Sequence, residues 1–268
     1  MSKSTPITNT IFKSNKISFE TTKDDYRSVK AVKEINIGEI LLIEHCYASN
    51  NFNHLSNVVI YSQELFNNLY PRKMLWDEET IINNIPDEII DLCAEKIQKN
   101  CFKRDGKYAI GLDISNFNHS ISANATATCV DVNVEQIVCC FISYVYAHKF
   151  INIGEEINIY YNKNIYFGDG DTIETANVDV EFKLSNHYIN KIVLQYVKKD
   201  ICKHIVLKHI CIYYGLYITN DTIFYSKKLQ EYFTKTIKKE CNHQNIKIWL
   251  IQMEENLNNT ADYIERLY

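Results

Sequence analysis

The 268-residue chain is poor in the residues that break or loosen a polypeptide, with 7 glycines and 3 prolines, which leaves little room for long disordered linkers. It has no basic excess either: 29 Lys and Arg face 33 Asp and Glu, for a net charge of −4 and a pI near 6.1. With no surplus positive charge to neutralise phosphates, general nucleic-acid binding is disfavoured. A mildly acidic surface suits a cationic peptide partner better. The most apolar run, 137–147, is too short to span a bilayer and contains Ser143 and two tyrosines. Residues 1–16 are polar, with no apolar stretch of signal-peptide length. The expectation is a soluble intracellular protein of the nucleus or cytoplasm that binds no membrane. Nine cysteines, irregularly spaced and without a C-x-x-C pair, suit reduced thiols better than a disulfide framework.

What is present reads as a globular α+β chain, 46% hydrophobic and 23% charged, long enough for one large domain or two modest ones. Residues 1–16 are expected to be a flexible segment. Residues 17–48 read as short strands, with a turn at Asn36-Ile37-Gly38-Glu39 where glycine can take a positive φ. Residues 61–105 read as a helical insertion. Its best helix opens at Pro86-Asp87-Glu88 and places Ile89, Leu92, Cys93 and Ile97 on one stripe; 77–82 also reads as helix. Gln136–Ala147 has the β-branched and aromatic make-up of a strand buried on both faces. After the turn at Asn152-Ile153-Gly154-Glu155, alternation puts Ile157, Ile159 and Tyr161 on one face and Asn158 and Tyr160 on the other. Gly168-Asp169-Gly170-Asp171 reads as a hinge. Beyond it helical periods return, at 189–197 and again at Leu250, Met253 and Leu257, which points to a helical domain over 172–268. No repeat at a fixed period is evident.

Four segments carry a resemblance, in the right order. They are Tyr26-Arg27-Ser28-Val29-Lys30-Ala31 with Glu34–Leu41; Asn100-Cys101-Phe102; Asn118-His119-Ser120-Ile121-Ser122-Ala123-Asn124-Ala125; and Gly154-Glu155-Glu156-Ile157-Asn158-Ile159-Tyr160-Tyr161. Together they resemble the SET-domain protein lysine methyltransferases, whose motifs read GxGxxA…I..GE.I, Asn-x-Phe, NHSCxPNA and GEELTIxY. The likeness is greatest to the SET and MYND-type subgroup, without its zinc modules; it covers roughly residues 17–165 and implies a SET domain over 17–168. It implies a β-rich fold of short curved sheets with a pseudo-knot. It also implies S-adenosylmethionine as cofactor and a lysine-bearing protein or peptide, histone or other, as substrate.

The residue roles follow from the same resemblance. Tyr161 takes the place of the catalytic tyrosine, whose hydroxyl lies near the transferring methyl. Arg27, Ser28, Asn118 and His119 fall at cofactor-binding positions, and Phe167, beside Tyr166, at a position to stack on adenine. Phe102 and Ile159 fall where the lysine channel is walled; an isoleucine there has no hydroxyl to hold a blocking water, which disfavours strict mono-methylation. The chemistry explains the residue types. In-line methyl transfer needs amine, methyl and sulfonium held collinear. Oxygen lone pairs favour the polarised methyl C–H bonds, and an apolar channel lowers the lysine pKa so that the amine arrives neutral.

The chain departs from the family where Tyr26 and Ser28 replace two glycines, Ile121 a cysteine and Ala123 a proline. Those changes motivate an alternative, a SET-like module that binds a partner without turnover. A cysteine hydrolase using Cys101 or Cys129 lacks any surrounding nucleophile motif. No structural zinc is expected. The Cys202, His204, His209 and Cys211 set would not converge on a helix, and the lysines of 227–239 read as a solvated face.

Overall fold

In the computed structural model, residues 10–24, 26–49, 51–74, 85–104, 107–134, 138–161, 211, 216–218, 223–225 and 227–267 are described. The expectations for 77–82, the hinge at 168–171, Phe167, the helix at 189–197 and the cysteines and histidines of 202–209 lie outside them.

Antiparallel pairings organise the described residues up to 161. β2 (Ile17–Thr21) pairs with β3 (Arg27–Ala31) as a two-stranded hairpin. β4 (Ile40–Ser49) is the central strand of a six-stranded sheet. One edge of β4 takes β8 (Val138–Ala147), which in turn carries β7 (Ala125–Val134). Its other edge is shared by β1 (Thr10–Lys13) and β6 (Lys107–Ile110), with β5 (Phe102–Arg104) outermost. Residues 10–13 are thus not part of a flexible segment, as expected for 1–16. At ten residues β4 is longer than any one partner on that edge, and β1 satisfies backbone groups that would otherwise be left open.

Between β4 and β5 lie α1 (Phe52–Ile60), α2 (Gln63–Asn68) and α3 (Asp87–Asn100). The helices begin at Phe52 rather than at residue 61, because the Asn51 side chain accepts the Asn53 N–H at 2.9 Å and caps the first turn. Ser62 caps α2 in the same way. α3 starts after Pro86 with two acids in its first turn, as the sequence indicates, and buries Ile89, Leu92, Cys93 and Ile97. The same stripe also buries Lys96 and Asn100, which hydrophobic periodicity alone could not reveal. The Lys96 ammonium donates to the carbonyls of Leu69 and Pro71, and the Asn100 amide to that of Tyr70, so α3 clamps the 69–71 segment.

The pleat divides neighbouring residues of the sheet between two cores. Cys46 and Ala109 face one core with Ile35, Leu42, Phe102, Phe117, Ile157 and Ile159; Tyr47 and Ile110 face the other with α1, α2 and α3. A separate cluster beyond residue 210 joins Leu216, Leu229, Phe233, Ile246, Trp249 and Met253. That part is not all helix: besides α4 (Lys227–Tyr232) and α5 (His243–Leu267) it holds the hairpin β9 (Leu216–Ile218) and β10 (Ile223–Tyr225). Two short strands of β-branched and aromatic residues at 216–225 suit pairing better than helix.

The sequence Ile-Asn-Ile-Gly-Glu occurs twice, at 35–39 and 151–155. The two copies fold alike and bond to each other. Ile35 and Ile151 exchange both backbone hydrogen bonds at 3.0 Å. In each turn the asparagine backbone and side-chain N–H groups donate to the glutamate carboxylate, at 2.8–3.0 Å in one and 2.9–3.1 Å in the other. Gly38 and Gly154 sit at φ 86° and 85°. Gly38 donates to Ala147 and Gly154 to Ala31, at 2.8 and 2.7 Å.

From the second turn the chain runs along β3, with Ala31 donating to Glu155 and Ile157 to Val29. It then passes between two other segments. Ile159 donates to the Asn118 carbonyl at 2.9 Å, Ser120 donates to Ile159, and Ala125 donates to Asn158. Residues 155–161 are therefore laced between β3 and the 118–125 stretch. Ile157 and Ile159 are fully buried and Tyr161 packs against the same core, as strict alternation requires.

Two glycines, Gly154 in the second turn and Gly111 after β6, should respond differently to substitution. A Cβ on Gly154 meets nothing within 4 Å, so Gly154→Ala should cost only the left-handed backbone term, about 1–2 kcal/mol. A Cβ on Gly111 would sit 2.6 Å from both the Cys46 Sγ and the Glu44 Oε2, so Gly111→Ala should lower the urea midpoint clearly more.

Candidate functional site

The loop carrying the Asn118-His119 pair is held from beneath by one buried carboxylate. Glu44, fully buried in β4, accepts the backbone N–H groups of Leu112, Asp113 and Ile114 at 2.7, 3.1 and 2.8 Å. Burial and the neighbouring Asp113 charge push its pKa up, while the three amide donors pull it down. A charge inside the run Leu-Leu-Ile-Glu-His-Cys was the available signal for this anchor, since an acid in a buried strand requires dedicated partners. The bonds fix a short 3-10 turn, Ile114–Asn116, which delivers Phe117 into the core and leaves Asn118 at its rim. A cavity of about 350 Å³ opens at Glu44 towards β1, lined also by Phe12, Lys13, Glu64 and Asp113; Asn118, His119 and Tyr161 are not among its walls.

Tyr161 returns to this loop. Its hydroxyl donates to the Phe117 carbonyl at 2.6 Å, and its backbone N–H donates to the His119 Nδ1 at 2.9 Å, with the two rings 5.0 Å apart. The phenol and the Asn-His pair, distant in sequence, thus share one corner. Burial raises the Tyr161 pKa well above the usual phenol value, and the Arg27 charge pulls the other way. The hydroxyl is protonated at neutral pH and can donate. Burial lowers the His119 pKa, consistent with a neutral ring whose Nδ1 accepts.

Arg27 links three elements. Its guanidinium donates to the Asn100 Oδ1 at 2.7 Å and the Ser115 Oγ at 3.3 Å, and lies 5.8 Å from the Tyr70 ring centroid. Its carbonyl accepts the Asn118 amide at 2.6 Å. Arg27, Asn118, His119 and Tyr161 are therefore brought together. Ser28 is buried one residue further along β3. Phe102 and Ile159 belong to the core beneath Tyr161, with 4% and 0% of their surface exposed. Asn100, Ser115, Phe117 and Glu156 complete the corner and were missed as site residues, because each acts through a tertiary hydrogen bond rather than a local pattern.

No family model matches the chain. A curated protein of Acanthamoeba polyphaga mimivirus, L222, provisionally named as SET domain-containing, is 24% identical over 226 residues, covering 76% of this chain and 68% of that protein. The span includes most of a chain whose motifs meet in the order and the lacing just described. The chain is thus similar to a SET domain-containing protein over most of its length. Solved structures similar to it include a Plasmodium falciparum protein provisionally named a histone methyltransferase, with 18% identity, a TM-score of 0.33, and coverage of 56% of this chain and 96% of that one. Another is the SET domain of LSMT bound to lysine and AdoHcy, with 10% identity, a TM-score of 0.37, and coverage of 58% and 51%.

Two outcomes test this corner. Glu44→Ala leaves three buried N–H groups without their acceptor and should cost about 3 kcal/mol, with faster amide exchange at 112–114. His119 titrates with a folded pKa below its unfolded value of about 6.5, so its contribution is complete above that pH and is lost as pH falls through the folded pKa. A stability profile that declines on acidification, with the decline reduced in His119→Ala, is the expected result.

Proposed function

We propose that residues 17–168 form a SET domain and that it is an S-adenosylmethionine-dependent methyltransferase acting on lysine side chains of a protein, histone or other. The observation that carries the proposal is the Tyr161 hydroxyl held 2.6 Å from the Phe117 carbonyl, directly beside Asn118 and His119. Two oxygens of different kinds, a phenol and a peptide carbonyl, lie together at the lip of an apolar core. That donor set suits a methyl group bearing partial positive charge. The residues present therefore fit the cofactor, which when bound supplies an electrophilic methyl on a sulfonium.

The chain's own residues have separable tasks. Arg27, Ser28, Asn118 and His119 would hold the cofactor, with the Asn118-His119 backbone fixed by its pairing to Ile159. Tyr161, protonated and pinned at both its N–H and its hydroxyl, would orient the reacting centre with almost no rotamer freedom left to lose. Phe102 and Ile159 would supply the apolar wall that keeps water from an incoming amine and favours its neutral form. Ile159 offers no hydroxyl there, which suits addition of more than one methyl.

A second reading has one specific observation in its favour. Asn118 spends its amide on Tyr26, Arg27 and Glu156, and Tyr26 stands where relatives of the resembled family have glycine. A SET domain so altered could bind a protein partner without turnover. Calorimetry separates the two, because absence of S-adenosylmethionine binding at millimolar concentration supports the partner-binding reading. For the catalytic reading, label transfer from S-adenosylmethionine to core histones or extract proteins should fall by about two orders of magnitude in Tyr161→Phe. Equal transfer by both proteins removes Tyr161 from its role.

A further inference from the structure

Tyr26 sits at the end of the β2–β3 hairpin, 53% exposed, with its backbone tied to Thr22. Its side chain nevertheless reaches across to the opposite lip of the corner. The hydroxyl donates to the Glu156 Oε1 at 3.2 Å and accepts from the Asn118 Nδ2 at 3.0 Å. The same Asn118 Nδ2 is 2.6 Å from the Arg27 carbonyl and 2.8 Å from the Glu156 Oε1. A primary amide has two hydrogens, and here three acceptors surround it. One hydrogen must therefore be shared, and the Tyr26 arm is the longest and most exposed of the three contacts. Glu156 is a firm post for it: its carbonyl accepts the Asn124 amide at 2.9 Å, and its residue bridges Lys30 of β3.

We propose that Tyr26 is a latch across the outer edge of the corner formed by Arg27, Asn118 and Tyr161, closing from the hairpin onto Glu156 and Asn118 and slowing cofactor escape. The inference rests on the proposed function, since it assigns the corner beside Asn118 to the cofactor. The geometry explains why a residue with a long polar side chain works where glycine would not. A glycine lets backbone approach the ligand but has nothing with which to reach Asn118. A tyrosine gives up that approach and supplies a removable bridge. Opening the latch leaves both Asn118 hydrogens satisfied by Arg27 and Glu156, so movement of Tyr26 unfolds nothing. Tyr26 is a positioning and retention residue, not a catalytic one.

The test compares wild type, Tyr26→Phe and Glu156→Ala in the full chain. Amide exchange at 118–120 is followed without cofactor, S-adenosylhomocysteine affinity by calorimetry, and KM and kcat for S-adenosylmethionine by label transfer. Tyr26→Phe keeps the ring and should melt near the wild-type temperature. It is expected to speed exchange at 118–120, to weaken S-adenosylhomocysteine about fivefold, and to raise the cofactor KM by more than it changes kcat. Glu156→Ala removes an Asn118 acceptor as well as the Tyr26 post and should change the same readouts in the same direction by more. Unchanged exchange and affinity in Tyr26→Phe overturn the latch, and so does faster exchange with unchanged affinity. If wild type binds no cofactor, the proposed function fails and the retention role fails with it. The exchange measurement then still reports separately whether the Tyr26 bridge orders the loop.

Discussion

The reciprocal pair of hydrogen bonds between Ile35 and Ile151 is the constraint on which the first 161 residues depend. It joins two turns of identical sequence in antiparallel fashion, so each turn's glycine reaches the strand that leads into the other. Gly38 grips the end of β8, and Gly154 grips the end of β3. The pairing fixes where the chain emerges at Ile157, and with it the register in which 157–161 slides beneath the Asn118 loop. A slip of one residue would turn Tyr161 away from the Phe117 carbonyl and bury Tyr160 in its place.

Around this junction the polar groups in the interior act as fasteners between elements rather than as isolated burdens. Glu44 ties β4 to the loop that carries Phe117 and Asn118. Lys96 and Asn100 tie α3 to the 69–71 segment, and Asn100 passes the connection on to Arg27. Arg27 hands it to Asn118 through its carbonyl. The helices between β4 and β5 thereby bear mechanically on the corner where the phenol sits. Each of these groups is satisfied by several partners, which is the condition under which a buried polar atom specifies a structure instead of weakening it.

The parts legible in the sequence were those written in local pattern. Alternation at 157–161 put the correct side chains inward, and the stripe of Ile89, Leu92, Cys93 and Ile97 marked the buried face of α3. The motif segments pointed to Arg27, Asn118, His119 and Tyr161, which the fold gathers. Long-range exchanges were not legible. The strand at Thr10–Lys13 exists because β4 has spare edge, and the start of α1 depends on an asparagine cap in a stretch with no strong period. The roles of Glu44 and Tyr26 lie in bonds to residues 68 and more positions away, and no window of sequence contains both partners. The repeated Ile-Asn-Ile-Gly-Glu was visible as letters, but its meaning lay in the two copies meeting.

That meeting also sets an order of events for a chain leaving the ribosome. The first turn and the β2–β3 hairpin emerge early, yet their partners at 147–157 follow more than a hundred residues behind. Until then β3 has only β2 beside it, and β4 has no β8 along one whole edge. Assembly of the corner is therefore governed by distant contacts, the kind that folds slowly and leaves strand edges open meanwhile. A nascent chain stopped short of Tyr161 would hold nearly every residue of the site and have none of its geometry.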